Sequence, residues 1–281
     1  MTGLNLYRKT NFEISRKITR NYSTSFSLGI RLFSPELRPS IEAIYGFVRF
    51  ADEIVDTFHD FDKKTLLEEF KKDTYLAIER GISLNPVLDS FQKIVNEFRI
   101  DHALIDAFLR SMEMDLEKID YHETSYSEYI YGSAEVVGLM CLRVFTHGKP
   151  GMYEALKDPA RSLGAAFQKI NFLRDLKDDY QDKGRTYFPG VHLGVHFSES
   201  DKREIEKDIK KDFDHAYQGL KQLPSSSRLG VLAAYRFYLS LFHKIARSSP
   251  QAVLQSRIRI SNLRKAAVVG LMALRNQFNL L

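Results

Sequence analysis

Hydrophobic residues recur at helical spacing along nearly the whole chain, and the alternating β-branched runs typical of strands are nearly absent. Clusters of Gly, Pro and Ser separate most of the periodic segments. The pattern predicts an all-α protein with helices at residues 9–21, 35–58, 63–81, 86–97, 101–118, 125–147, 151–158, 160–181, 199–222, 226–247 and 251–279. No fixed-period repeat and no linker interrupts it, so we expect a single helical domain over residues 1–281.

One of these helices carries carboxylates beside its core face. In "IEAIYGFVRFADEIVDTF" (41–58), apolar residues from Ile44 to Val55 form a stripe that predicts a mostly buried helix. The same rotation places an adjoining line of polar residues, namely Tyr45, Arg49, Asp52 and Asp56. We therefore expect two carboxylates, four residues apart, to point into a largely apolar interior. Such a pair is costly unless a cation or hydrogen bonds offset its charge.

A second helix repeats this arrangement. In "RSLGAAFQKINFLRDLKDDY" (161–180), one narrow stripe flanked by apolar residues holds Gln168, Asn171, Asp175 and Asp179. Carboxylate and amide oxygens on facing helices suit Mg²⁺, and nearby arginines suit diphosphate. A single D-x-x-x-D on a helix is typical of a solvated face. Two such pairs beside apolar stripes favour a metal site that holds a diphosphate.

Composition and charge narrow the class of protein. The net charge of +5 comes from 41 basic residues interspersed with 36 acidic ones, so we expect no nucleic-acid partner. The longest apolar runs, such as "AAVVGLMAL" (266–274), are about half the length of a membrane-spanning helix, and no signal sequence opens the chain. We expect a cytoplasmic protein, with peripheral membrane contact for product release left open. The single Cys141 is expected to pack in the core.

Six motifs together resemble the squalene/phytoene synthase family. They are "YSTSF" (22–26), "IYGFVRFADEIVD" (44–56), "MEMDL" (112–116), "YIYGSAEVVGLM" (129–140), "QKINFLRDLKDDYQDKGRTYFP" (168–189) and "RIRISNLRK" (257–265). The chain is similar to this family over about residues 15–275, and most similar to its bacterial phytoene synthases. The resemblance implies a class I isoprenoid-synthase-like helical bundle around a central cavity.

The resemblance also implies roles for individual residues. The implied ligands of Mg²⁺, or of Mn²⁺ in its place, are Asp52, Asp56, Asn171, Asp175 and Asp179. The implied substrate-binding residues are Ser25, Arg49, Asn171, Arg174, Arg185, Tyr187 and Arg264. The four acids are implied to be catalytic, together with Tyr45, Tyr131 and Gln168, which with Tyr187 would line the cavity in which cations form.

The chain departs from the family pattern at three positions. Tyr22 stands where the family usually has His, Thr24 where it has Lys, and Glu135 where it has Gly. On helical rotation Glu135 shares a face with Tyr131 and Gly138. Glu135 is therefore expected either to enter the cavity or to turn its helix.

The implied activity is that of a Mg²⁺-dependent prenyltransferase of carotenoid biosynthesis. Two prenyl diphosphates, expected to be geranylgeranyl diphosphate, would condense head to head into phytoene through a cyclopropylcarbinyl diphosphate, releasing diphosphate. We expect no requirement for NADPH. The alternative is a squalene or dehydrosqualene synthase that uses farnesyl diphosphate. More distant alternatives are an all-α Mg²⁺-dependent nucleotide pyrophosphohydrolase and a non-catalytic helical interaction protein.

Overall fold

The structure is a computed structural model that describes residues 2–116, 123–147, 149–183, 188–189, 197–261, 270 and 272, excluding the side chains of residues 123 and 178–183. All regular structure within these ranges is helical, which confirms the all-α prediction. The helices are α1 (Gly3–Tyr22), α2 (Thr24–Ile30), α3 (Arg38–Asp56), α4 (Lys63–Arg80), α5 (Pro86–Phe98), α6 (His102–Leu116), α7 (Glu123–Ile130), a π-helical segment (Tyr131–Glu135), α8 (Val136–Phe145), α9 (Pro150–Lys183), α10 (Glu199–Leu220), α11 (Ser225–Ala246) and α12 (Pro250–Gln255).

Local sequence signals set several of the helix ends. The Asn85 side chain accepts hydrogen bonds from the first turn of α5, and Pro86 occupies the position where a missing N–H costs nothing. Gly81 ends α4 with a φ of +68°, a conformation that glycine adopts without a steric penalty. Ser198 and Asp201 form a reciprocal capping box at the start of α10.

The structure differs from the predicted helices in three places. Residues 151–158 and 160–181 form one helix, α9, with Pro159 inside it. This proline is accommodated where α10 crosses, since a Cβ added to Gly219 would lie 2.3 Å from the Pro159 Cβ. The short helix α2 was not predicted. The helix predicted at 251–279 is confirmed for residues 251–255 and wrong for residues 256–261, because α12 ends at Gln255 and the residues after it are not helical.

Helix α3 lies between an aromatic core and a cavity. The Phe47 ring stacks on Phe91 with centroids 3.9 Å apart, and it contacts Phe70 and Phe108 at 5.5 and 5.4 Å. These contacts join α3 to α4, α5 and α6, and bury the apolar stripe that the sequence pattern predicts. The next face of α3 borders the cavity described below. None of the described helices is both long and apolar enough to cross a membrane.

Candidate functional site

An elongated cavity of about 340 Å³ runs along one face of α9. Its lining extends from Asn171 back to Leu156, which is fifteen residues, or roughly 22 Å of helix. The other walls come from α2, α3, the π-helical segment, α8, α10 and α11. Most of the lining is apolar. Its polar side chains are Ser23, Ser25, Tyr45, Ser133, Gln168, Asn171 and Tyr238, and they gather mainly at the Asn171 end.

The last two turns of α3 form one side of this polar end. Tyr45 and Val48 line the cavity, and Asp52 follows one turn later with its side chain about a third exposed. Asp56 is the last residue of α3 and is exposed, so the prediction that it points into the apolar interior is wrong. We call the end of the cavity at Tyr45 and Asn171 its mouth, and Asp52 lies one turn of α3 beyond Val48 there.

Arg49 lies beside these acids on α3. Its guanidinium pairs with Glu53, lies 3.9 Å from Asp52 and covers the ring of Tyr22 at 4.5 Å. Tyr22, one of the three departures from the family pattern, is thus a packing partner of this arginine. The Nε atom of Arg49 is buried and has no hydrogen-bond partner among the described residues. Such a donor suits an oxyanion at the mouth.

The facing side of the mouth comes from α9. Gln168 and Asn171 line the cavity, and Asp175 follows one turn later. Asp175 accepts two hydrogen bonds from Arg174, at 2.9 and 2.5 Å, and pairs with Arg257 at 2.8 Å. Sequence reasoning missed Arg257, although it stands within the basic motif "RIRISNLRK". Asp179 belongs to α9, but its side chain lies outside the described residues, as do Arg185, Tyr187 and Arg264.

Two half-buried tyrosines, Tyr45 on α3 and Tyr238 on α11, line the polar end of the cavity. Burial raises the pKa of Tyr45, Arg49 lowers it and Asp52 raises it further. Burial also raises the pKa of Tyr238, whose hydroxyl donates a hydrogen bond to Asn171 at 3.3 Å. Tyr238 lies on α11, so its hydrogen bond to Asn171 joins α11 to α9 at this end of the cavity. Tyr238 was also missed, because in "AYRFYLSLF" it is indistinguishable from a core residue.

Aromatic rings surround the space just inside the mouth. Phe26 stacks on Tyr45 with centroids 4.8 Å apart, and Phe167 stacks on Tyr238 at 3.9 Å. All four side chains line the cavity. Because aromatic faces carry negative quadrupole charge, this part of the cavity can stabilise a positive charge without a counter-ion.

The donor chemistry at the mouth fits Mg²⁺ in kind. Asp52 and Asp175 offer carboxylate oxygens and Asn171 an amide oxygen, which are the hard ligands that Mg²⁺ prefers. Within the described part of the chain, no three or more His, Cys, Asp or Glu side chains are close enough together to hold a metal alone. Ligands from the substrate diphosphate and from water would have to complete the coordination shell, as is usual for Mg²⁺.

The π-helical segment explains where Tyr131 and Glu135 lie. Gly138 lines the cavity, but neither Tyr131 nor Glu135 does. The Tyr131 ring lies 5.3 Å below the Arg161 guanidinium, and Glu135 accepts a hydrogen bond from Arg161 Nε at 2.7 Å. The shared face expected for these residues assumed a regular α-helix. The wider π turn shifts the rotation, so Glu135 does not enter the cavity.

Comparisons with known proteins agree with this geometry. The family profile described as squalene/phytoene synthase matches residues 19–264. A 15-cis-phytoene synthase from Paracoccus sp. is 28% identical over 272 residues, covering 90% of this chain and 86% of its own length. A 4,4'-diapophytoene synthase from Staphylococcus haemolyticus is 28% identical over 209 residues, covering 72% and 70%. The crystal structure of a dehydrosqualene synthase in complex with ligand superposes with a TM-score of 0.81 at 21% identity, covering 96% and 98%.

Proposed function

The chain belongs to the squalene/phytoene synthase family, and on that premise we propose that it condenses two prenyl diphosphates head to head. The observation that carries the proposal is the long apolar cavity whose polar lining gathers at the Asn171 end, with Asp52, Asp175 and their arginine partners one helical turn beyond it. A prenyl diphosphate has the same division, an apolar chain with a highly charged head. A nucleotide would leave most of this cavity without polar contacts, which disfavours the pyrophosphohydrolase alternative.

The mouth would bind the diphosphate and stabilise its departure. Arg49 approaches from α3 and Arg174 from α9, so both would contact the leaving group as its charge develops. The Asp175 pairs with Arg174 and Arg257 would hold that carboxylate in place. Mg²⁺, bound through Asp52, Asp56, Asn171, Asp175 and Asp179, would neutralise further charge on the leaving group.

The cavity would protect the cations that follow. Loss of diphosphate leaves an allylic cation, and the alkene of the second molecule attacks it. Proton loss then gives a cyclopropylcarbinyl diphosphate, which ionises, rearranges and loses another proton to yield the hydrocarbon. The stacked rings of Tyr45 and Tyr238 offer their faces to these cations, while the apolar walls exclude water.

We propose that the substrate is geranylgeranyl diphosphate, the product is phytoene and NADPH is not required. The names of the phytoene synthase relatives support the C20 substrate and a place in carotenoid biosynthesis. The name of the diapophytoene synthase relative keeps a C15 substrate as the competing candidate.

A product analysis tests the proposal. Purified protein is incubated with Mg²⁺ and either the C15 or the C20 diphosphate, with and without NADPH, and the hydrocarbons are identified by mass spectrometry. We expect a C40 hydrocarbon from the C20 substrate, independent of NADPH and abolished by chelation of the metal. A C30 hydrocarbon as main product would correct the chain length, and release of monomeric prenols alone would refute coupling.

Substitutions at the mouth test the assigned residues. Asp52→Asn and Asp175→Asn should each lower turnover by about 100-fold or more, because each removes a carboxylate that would hold the Mg²⁺ whose positive charge offsets that of the departing diphosphate. Asp73→Asn on α4 is the matched control, since Asp73 is exposed and away from the mouth. Circular dichroism should show unchanged helical content in all three variants. Unfolding of both mouth variants would favour a structural role for these acids.

A further inference from the structure

The π-helical segment separates two spaces of opposite character. On one side, Ser133 and Ala134 line the apolar cavity. On the other, Glu135 and Arg161 line an open polar groove of about 1080 Å³ between α7, α9 and α10. The same division runs along α9, where Gly164 faces the cavity and Lys169 faces the groove. The contact between the π-helical segment and α9 is therefore the wall between the groove and the cavity.

On its cavity side, this wall is made by backbone contact. A Cβ added to Gly164 would lie 2.8 Å from the carbonyl oxygen of Ala134 and 2.9 Å from the Cα of Glu135. The three atoms nearest to that Cβ are all backbone atoms, namely Ala134 O, Ala134 C and Glu135 Cα. The seal depends on how closely the π-helical segment is held to α9.

On its groove side, the wall is made by an ion pair. Arg161 Nε donates to the Glu135 carboxylate at 2.7 Å, and the Glu135 side chain is only 14% exposed. The Arg161 guanidinium also lies over the Tyr131 ring at 5.3 Å, so it contacts both ends of the π-helical segment. Burial disfavours the charged carboxylate and raises the pKa of Glu135, whereas Arg161 lowers it.

We propose that Glu135 and Arg161 are a positioning pair that holds the π-helical segment against α9 and keeps water of the groove out of the cavity. The pair touches no reacting atom, and its consequence is chemical because cations in the cavity are quenched by water. When water adds to such a cation, a C–O bond forms and a proton is released, giving an alcohol. In the dry cavity the same cation loses a proton from carbon and gives the hydrocarbon.

The product ratio tests this inference, which rests on the proposed function for this readout. Glu135→Gln and Arg161→Gln are compared with wild type for the ratio of prenyl-derived alcohol to hydrocarbon, with H₂¹⁸O as the oxygen label. We expect each single variant to raise the ratio of ¹⁸O-labelled alcohol to hydrocarbon by about tenfold. The double variant should exceed the larger single effect by no more than about threefold, because both substitutions remove the same interaction.

Two controls separate sealing from general damage. Asp158→Asn removes the other acid near Arg161, an exposed carboxylate 3.9 Å away, and should leave the product ratio unchanged. Thermal melting identifies any variant that is partly unfolded at the assay temperature. Glu135→Asp keeps a carboxylate and should give a lower ratio of alcohol to hydrocarbon than Glu135→Gln. An unchanged ratio in folded variants, additive effects in the double variant, or an equal rise in Asp158→Asn would each overturn the inference.

A second measurement needs no catalysis. The single cysteine, Cys141, lines the cavity, and burial raises the pKa of its thiol to about 12. Its alkylation by iodoacetamide therefore reports on the entry of water and small solutes. We expect Glu135→Gln to speed this reaction by about fivefold or more through local opening, and Asp158→Asn to leave it unchanged. Equal rates in wild type and Glu135→Gln would sink the inference even if the protein forms no hydrocarbon.

Discussion

Replacing Gly164 by alanine should damage this protein more than the same replacement at Gly138, although both glycines line the cavity. A Cβ at position 164 would meet backbone atoms of Ala134 and Glu135 at 2.8–3.0 Å. These backbone atoms cannot rotate away from the new methyl group as a side chain could. At position 138 the nearest atom is the carbonyl oxygen of Ala160 at 3.2 Å, with the next atom 4.0 Å away.

The distances give the size of the effect. An ordinary contact begins at 3.4 Å, so α9 and the π-helical segment must separate by roughly 0.6 Å to accept Gly164→Ala, against roughly 0.2 Å for Gly138→Ala. Overpacking of this kind costs about 1–3 kcal/mol, and alanine returns about 0.5–1 kcal/mol in helix propensity. We expect a net loss of about 1–2 kcal/mol for Gly164→Ala and a change near zero for Gly138→Ala.

Thermal unfolding and steady-state kinetics measure the outcome. A loss of 1–2 kcal/mol should lower the Tm by roughly 2–8 °C. Because a displaced wall misplaces the substrates, kcat/KM for the coupled product should also fall by about 10-fold or more. Gly151→Ala serves as the open-space control, since no atom lies within 4 Å of its added Cβ, and its Tm should not fall. A Gly164→Ala variant as stable and active as Gly138→Ala would refute the reasoning.

Three further predictions follow from the cavity. Phe33 lines the cavity far from the mouth, and its ring contacts that of Phe145 at a centroid distance of 5.1 Å. Phe33→Ala should lower the free energy of unfolding by about 3–5 kcal/mol. It should also raise the C40-to-C30 product ratio when C20 and C15 diphosphates compete. An unchanged ratio in the folded variant would contradict this role. Tyr238→Phe removes the hydrogen bond to Asn171 and should cost about 0.5–1.5 kcal/mol in stability. It should also raise the Mg²⁺ concentration for half-maximal activity, and an unchanged midpoint would count against Asn171 as a ligand. Burial raises the pKa of the Cys141 thiol above its ordinary value to about 12, so Cys141 should alkylate slowly at pH 8 compared with the unfolded chain. Bound prenyl diphosphate should slow the reaction further. The alkylation of Cys141 is measured by mass spectrometry. A rate equal to that of the unfolded chain would show that the cavity is open to solvent.

The fold was predictable where local signals dominate. Helical periodicity located α3, α4, α5 and α10 closely, because each has one apolar face and a recognisable start or stop such as Gly81 or Asn85. Pro159 misled the prediction, since a proline normally breaks a helix. In the structure Pro159 packs closely against Gly219, which is sixty residues away in the chain, a contact that no local pattern reveals.

The candidate site was predictable in part. The D-x-x-x-D spacing singled out Asp52 and Asp175, and each lies one helical turn beyond a residue that lines the cavity, Val48 and Asn171. Exposure of Asp56 was not predictable from rotation alone, because it depends on α3 ending at that residue. Arg257 and Tyr238 were missed because neither has a local pattern that distinguishes it from an ordinary basic or core residue.

The sequence by itself determined the helical class, the family and the two stretches that carry the acids, because these depend on periodicity and residue spacing within single helices. The tertiary structure alone decided which side of each helix meets the cavity. It turned Glu135 toward Arg161 through a π turn and brought Tyr238 to Asn171 across 67 residues of chain. Such contacts follow from the rotation and close crossing of whole helices, which sequence spacing within one helix cannot specify.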